Sequence, residues 1–195
     1  MEHTLKYTGV WKAPGEDGLP AGFLRACGAP LYQAIAAIAT SSFQVGHFPD
    51  CCKSARVVVL QKPGKSPEVR RTPGGWRPIS LLSTVGKVLE ATIGERIASA
   101  AEAHNVLPDG QMGNRKGRST EIAVRMVTAT VQEAWRHGGV ASLLQLDIKG
   151  AFDTVNHTRL LDTLRKQRFP HWVVQWVHSY ITGRTATLQF PVEPP

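Results

Sequence analysis

The sequence predicts an α+β fold, and three observations support this prediction. Apolar residues recur at helical spacing from Val85 to Ile97, which indicates an amphipathic helix. The run Val57–Leu60 is short, β-branched and flanked by polar and charged residues, which is typical of a buried strand. Helices and strands do not alternate regularly along the chain, so a purely parallel sheet is not expected.

Each element is assigned from the spacing of apolar residues and from the proline and glycine residues that interrupt it. Ser119 is expected to begin a helix, because its hydroxyl can accept a backbone N–H of the first turn. The predicted elements, in chain order, are a loop at 1–18, a helix from Pro20 to about Phe43, a strand at 57–60, a mobile loop or hairpin tip at 63–75, a helix from Val85 to about His104, a loop at 105–118, a helix from Thr120 to about Arg136, a strand at 140–148, helices near 157–167 and 170–182, and a strand at 185–190.

The overall composition is that of one globular domain with a basic surface. The chain has 195 residues, 42% of them hydrophobic, and a formal net charge of +8. It contains no uncharged apolar run long enough to span a membrane. Its three cysteines are an odd number without metal-ligand spacing, so we expect free thiols in a reducing compartment. The sequence therefore predicts an intracellular protein, of the nucleus or the cytoplasm.

Positive charge is concentrated between Lys53 and Arg77, where Glu68 is the only acidic residue. Such a cluster suits a polyanion such as nucleic acid, because each neutralised phosphate releases counterions. On charge alone, a solvated basic loop is the simpler interpretation. The tryptophans at 76, 135, 172 and 176 are interpreted as packing anchors rather than as platforms for stacked bases.

The segment from Leu144 to Asp153 contains the sharpest candidate for chemistry. Asp147 ends the predicted apolar strand, where a carboxylate is costly to bury unless it binds something. The small residues Gly150 and Ala151 would let backbone amides approach a ligand. One interpretation is therefore a platform for Mg²⁺ and phosphate, and the other is that Asp147 caps the next helix or pairs with Lys149.

Four segments, in this order, resemble the reverse transcriptases of non-LTR (LINE-type) retrotransposons. In two of them one residue departs from the usual pattern, with Glu16 in place of proline and Asn114 in place of phenylalanine. The segments are KAPGEDGLP at 12–20, VVVLQKPGK at 57–65 with WRPISLL at 76–82 and GKVLE at 86–90, QMGNRKGRST at 111–120, and LDIKGAFDTVNH at 146–157.

The resemblance implies a right-hand polymerase that copies RNA into DNA, with an RNA template, a DNA primer and dNTPs as partners. The implied metal is Mg²⁺ or Mn²⁺, expected only at a complete active site. The implied roles are Asp147 as the catalytic, metal-binding aspartate with the Ile148 carbonyl as a further ligand; Lys62, Arg77, Gly150, Ala151 and Phe152 as nucleotide-binding residues, with Phe152 as a steric gate against ribose; and Lys65, Arg70, Arg71, Arg115, Lys116 and Arg118 as contacts to nucleic acid.

The same resemblance predicts a partial domain. Residues 1–195 would form an incomplete right hand, mainly fingers at about 11–139 and the start of the palm at about 140–190, with helices on a small, mainly antiparallel sheet. The family's later Asp-Asp pair and thumb are absent from the sequence, so the isolated chain is expected to be inactive. The alternative is a non-catalytic remnant that binds nucleic acid, and a basic structural protein is a third possibility that the ordered motifs disfavour.

Overall fold

The computed structural model describes residues 9–148 and 150–190, and it confirms the α+β class. Two short 3-10 turns, Asp50–Cys52 and Pro73–Gly75, accompany the regular elements. The strands are β1 (Ser54–Gln61), β2 (Trp76–Leu82) and β3 (Thr185–Gln189), and the helices are α1 (Ala21–Ala26), α2 (Gly28–Val45), α3 (Pro67–Arg70), α4 (Thr84–Ala103), α5 (Thr120–Arg136), α6 (His157–Lys166) and α7 (His171–Ile181).

The sheet is mixed, in the order β2-β1-β3. β1 and β2 form an antiparallel hairpin in which Val59 lies opposite Pro78, whereas β1 and β3 are parallel, with Val57 beside Leu188. The predicted mainly antiparallel sheet is therefore confirmed for the pairing of β1 with β2 and wrong for the pairing of β1 with β3. Parallel pairing requires a long crossover, and here α4 to α7 lie between the two strands in the sequence.

The predicted helix from Pro20 to Phe43 is two helices, α1 and α2, separated at Cys27. Gly28 follows with φ of 65°, a left-handed conformation that glycine adopts without steric cost. Helical periodicity alone did not reveal this break, because apolar residues continue on both sides of it, and the local signals for it are Gly28 and Pro30.

The described residues form two compact units. One comprises the residues up to Gly94 together with those from His157 onwards, and the other runs from Glu95 to Asn156. In the first unit, Leu24 of α1, Ile35 of α2 and Val88 of α4 form a buried cluster. The predicted boundary between fingers and palm near residue 139 stays a prediction.

An aromatic cluster joins α2 and α7 within the first unit. The Trp176 ring lies 5.3 Å from Phe48, edge to face, and 5.4 Å from Tyr180, stacked. Its indole N–H donates to Ser42 Oγ at 2.8 Å, so the buried ring has its polar atom satisfied. This cluster fixes the helix that leads into β3.

The loop before α1, which carries part of the KAPGEDGLP segment, is anchored to the sheet and to α4. A Cβ at Gly15 would lie 2.5 Å from the backbone of Leu82 and Ser83, so only glycine fits there. Asp17 Oδ2 accepts the backbone N–H of Thr84 at 3.2 Å, at the start of α4. Arg56 of β1 donates to the Pro14 carbonyl at 3.3 Å. These contacts give the segment a structural role.

In the second unit, Ser119 caps α5 as predicted, because its Oγ accepts the backbone N–H of Ile122 at 3.3 Å. The predicted strand at 140–148 was wrong: in the structure these residues have no regular secondary structure, and their side chains are largely exposed. A strand exists only when its backbone groups pair with a neighbour, and none of the three described strands pairs with this segment. Within 9–148 and 150–190, no helix is long and apolar enough to cross a membrane.

Candidate functional site

The β1–β2 hairpin carries the two predicted phosphate-binding residues, Lys62 and Arg77. Arg77 lies opposite Leu60 in the antiparallel register. Lys62 follows the last residue of β1, and its backbone N–H donates to the Gly75 carbonyl at 2.8 Å, which extends the hairpin by one step. Side chains alternate along a strand, so Leu60 and Arg77 project from the same face of the hairpin.

The Lys62 ammonium is held by its own hairpin. Its Nζ donates to the Gly74 carbonyl at 2.8 Å, which places the charge against the connection between the strands. An ammonium has three donors, so two remain for a ligand. Arg77 is exposed. Neither cation forms a salt bridge with another of the described residues, so both can reach an anion in solvent.

The connection from Lys62 to Gly75 is an ordered hairpin tip, which decides between the two predicted forms in favour of the tip. Ser66 Oγ caps α3 by accepting the Val69 N–H, and the Trp76 indole donates to the Arg70 carbonyl at 2.7 Å. Lys65, Arg70 and Arg71 are all exposed on this tip.

The basic residues of the second unit divide into two kinds. Arg115 forms a two-pronged salt bridge with Glu102, with N–O distances of 2.6 and 2.9 Å, and also donates to the Pro108 carbonyl. Hydrogen bonding to Arg115 lowers the pKa of the Glu102 carboxyl, so the pair stays charged at neutral pH. Lys116 and Arg118 are exposed. Arg115 thus holds the loop that presents the other two.

Asp147 lies on the irregular, exposed segment at 140–148. After it, the chain turns at Gly150, whose carbonyl accepts both the backbone N–H and the hydroxyl of Thr154 at 3.0 Å. Ala151 is exposed, and the Phe152 ring is 87% exposed. Lys149, the alternative partner of Asp147, lies outside the described residues.

A resident metal does not fit these residues as they stand. The described part of the chain contains no group of three His, Cys, Asp or Glu side chains that could hold an ion. Mg²⁺ retains tightly bound waters and needs one or more well-placed carboxylates with further oxygen ligands, whereas Asp147 and the Ile148 carbonyl stand on an exposed segment. The described residues therefore support the binding of anions by cationic side chains.

Sequence reasoning missed two features of the first unit. It treated Trp76 only as a packing anchor, although this side chain lines an open groove on the sheet. It also missed β2 as a strand, because Pro78 lies in its centre. β2 is an edge strand of this sheet, where a proline is tolerated.

Comparison with known proteins places these motifs in a family. The family model described as reverse transcriptase (RNA-dependent DNA polymerase) matches residues 60–193, more than half of the chain. The probable RNA-directed DNA polymerase from transposon BS of Drosophila melanogaster is 32% identical over 180 residues, which are 92% of this chain and 19% of that protein.

Two further relatives show the same pattern. The RNA-directed DNA polymerase from mobile element jockey of Drosophila melanogaster is 34% identical over 89% of this chain and 19% of that protein. A putative 115 kDa protein in the type-1 retrotransposable element R1DM of the same species is 33% identical over 91% of this chain and 17% of that protein. The chain spans about a fifth of the length of these relatives. The resemblance seen in the motifs is confirmed: this chain belongs to the reverse transcriptase (RNA-dependent DNA polymerase) family.

Proposed function

We propose that this chain supplies the fingers and the first part of the palm of a retrotransposon RNA-directed DNA polymerase. Its partners are then an RNA template, a DNA primer and dNTPs. The observation that carries the proposal is the β1–β2 hairpin, which presents Lys62 and Arg77 at the end where the strands meet an ordered basic tip. The family match over residues 60–193 supports it.

Lys62 and Arg77 act as a cationic clamp on the phosphates of the incoming nucleotide. Negative charge is spread over the phosphoryl oxygens as a phosphate is transferred, and fixed cations stabilise that charge. The Gly74 carbonyl orients the Lys62 ammonium before the nucleotide arrives. Arg77 offers a planar pair of donors that matches two phosphate oxygens. The hairpin thus contributes binding and electrostatic stabilisation.

The exposed cations outside the clamp bind the nucleic-acid backbone. Lys65, Arg70 and Arg71 lie on the hairpin tip, and Lys116 and Arg118 lie on the loop before α5. Contacts of this kind fix the position of a strand without reading its sequence. Gly150, Ala151 and Phe152 keep the nucleotide-binding roles implied by the polymerase motif as part of this proposal. The metal-binding role implied for Asp147 and Ile148 applies only to a complete active site, because these residues do not form a metal site as they stand.

The clamp is tested by comparing dTTP with thymidine, which has the same base and sugar but no phosphates. Calorimetry of the whole chain should show binding of dTTP and much weaker binding of thymidine. Hydrogen bonds to charged groups contribute about 1.5–3 kcal/mol each, so Lys62→Ala or Arg77→Ala should weaken dTTP binding roughly tenfold or more. Lys166→Ala removes an exposed lysine of α6 and serves as the matched control.

Two outcomes would count against the clamp. One is equal affinity for dTTP and thymidine, since phosphates would then contribute nothing. The other is an equal loss of dTTP affinity in Lys62→Ala and Lys166→Ala, which would show that the loss comes from the change in net charge alone.

A non-catalytic nucleic-acid-binding role is the second candidate. It is favoured by the exposure of Asp147 and by the lack of a metal-binding group among the described residues. The two candidate functions differ in one expected result. In the non-catalytic role the chain binds nucleic acid, but it does not bind dTTP better than thymidine.

A further inference from the structure

One face of the sheet carries a groove of about 590 Å³ whose apolar walls have no role in the proposed function. It is open to solvent and crosses all three strands. Its lining includes Val59 of β1, Trp76 and Pro78 of β2, Leu188 of β3, Phe190 just after β3, and Arg71 of the hairpin tip.

The strand registers explain why these side chains meet. Val59 lies directly opposite Pro78, and Leu188 lies beside Val57, two residues from Val59. Residues two apart on a strand share a face, so Trp76 and Phe190 project on the same side. Arg77 lies between Trp76 and Pro78 in the sequence and therefore projects from the opposite face. The groove and the phosphate clamp thus occupy opposite faces of one hairpin.

The groove is preformed and apolar. The hydrogen bond from the Trp76 indole to the Arg70 carbonyl, 2.7 Å long, fixes the ring that forms one wall. Leu188 is 51% exposed and Phe190 is 70% exposed. Apolar side chains gathered in an open groove, rather than scattered singly, are typical of a surface that binds another molecule.

The charge around the groove identifies the kind of partner. Arg71 lines the groove itself, and Lys65 and Arg70 are exposed on the same tip. The groove has aromatic walls and a cationic rim. A complementary partner therefore carries flat apolar groups that are linked by negatively charged groups. Single-stranded nucleic acid has this chemistry, since bases stack on aromatic rings while phosphates contact arginine and lysine.

We propose that this groove binds the bases of a single-stranded nucleic acid, with Trp76 and Phe190 as stacking surfaces and Arg71 as a phosphate contact. This inference rests on the proposed function in one respect, which is the choice of nucleic acid as the partner. Because the clamp lies on the other face of the hairpin, the groove holds a strand that is distinct from the incoming nucleotide.

The test compares a short fluorescein-labelled oligo(dT) with an abasic oligonucleotide of the same length, which keeps the phosphates and lacks the bases. Fluorescence anisotropy on the whole chain should show at least about fivefold tighter binding of oligo(dT), the lower end of what one stacked base contributes. Phe190→Ala should reduce this preference, because it removes one of the two stacking surfaces. Arg71→Ala should weaken both ligands alike, because it removes a phosphate contact.

Phe23→Ala provides the matched control, since this phenylalanine of α1 is 52% exposed and lies outside the groove. It should leave both affinities unchanged, and circular dichroism of each variant checks that the fold is intact. Equal affinity of the unaltered chain for the two ligands would overturn the groove proposal and leave the clamp standing. A preference as large in Phe190→Ala as in the unaltered chain would also overturn it. Failure to bind either ligand would overturn the proposed function as well.

Discussion

Replacing Trp176 with alanine should destabilise the first unit severely. The side chain is 1% exposed, and its ring lies 5.3 Å from Phe48 and 5.4 Å from Tyr180. Truncating a buried tryptophan to alanine costs about 3–5 kcal/mol, because the transfer free energy is lost and a cavity remains. In a protein of this size each kcal/mol shifts Tm by about 2–4 °C, so Tm should fall by about 6–20 °C.

Two further variants separate burial from residue type. Trp176→Phe keeps an aromatic ring but removes the donor to the buried Ser42 Oγ, so an intermediate loss of about 1–3 kcal/mol is expected. Trp135→Ala truncates a tryptophan that is 67% exposed and should change stability by no more than about 0.5 kcal/mol. Urea denaturation followed by far-UV circular dichroism measures all three. Equal losses for Trp176→Ala and Trp135→Ala would refute the packing described here.

Three other outcomes are expected. The isolated chain should not extend oligo(dT) on poly(rA) with Mg²⁺ or Mn²⁺; incorporation that Asp147→Ala abolishes would contradict this. Hydrogen exchange at residues 140–148 should be fast, because the segment is exposed and lies outside the sheet; slow exchange in a monomer would show a paired strand. Burial raises the pKa of the Cys52 thiol to about 11, so alkylation near neutral pH should label the exposed Cys27 and Cys51 and spare Cys52. In the unfolded chain the Cys52 thiol ionises at a lower pH than in the folded chain, so its contribution to stability is lost as pH rises from about 9 towards 11. Labelling of Cys27 and Cys52 at equal rates would contradict the burial of Cys52.

Elements whose formation depends on nearby residues could be predicted from local signals in the sequence. The cap at Ser119 and the helix from Val85 onwards follow from side-chain chemistry and from apolar spacing, and both are present in the structure. The hairpin tip was one of two predicted forms for the loop after β1, and it is the one observed.

Features that depend on distant residues could not be predicted in the same way. The parallel pairing of β1 with β3 joins residues more than a hundred positions apart, and nothing in either strand specifies the other. The segment at 140–148 has the composition of a strand, but composition does not supply a partner. In the site, motif resemblance picked out Lys62 and Arg77, whereas the hydrogen bond from Lys62 to Gly74 depends on how the tip folds.

The salt dependence of binding to a primed template shows whether the exposed cations of the hairpin tip contact phosphates. If Lys65, Arg70 and Arg71 of the basic tip contact phosphates, the logarithm of affinity should fall steeply and linearly with the logarithm of salt concentration. Each of Lys65→Ala and Arg70→Ala should then reduce the slope by about 0.7–0.9, the value for one lost phosphate contact. An affinity independent of salt, or slopes unchanged in both variants, would show that these side chains do not contact phosphates.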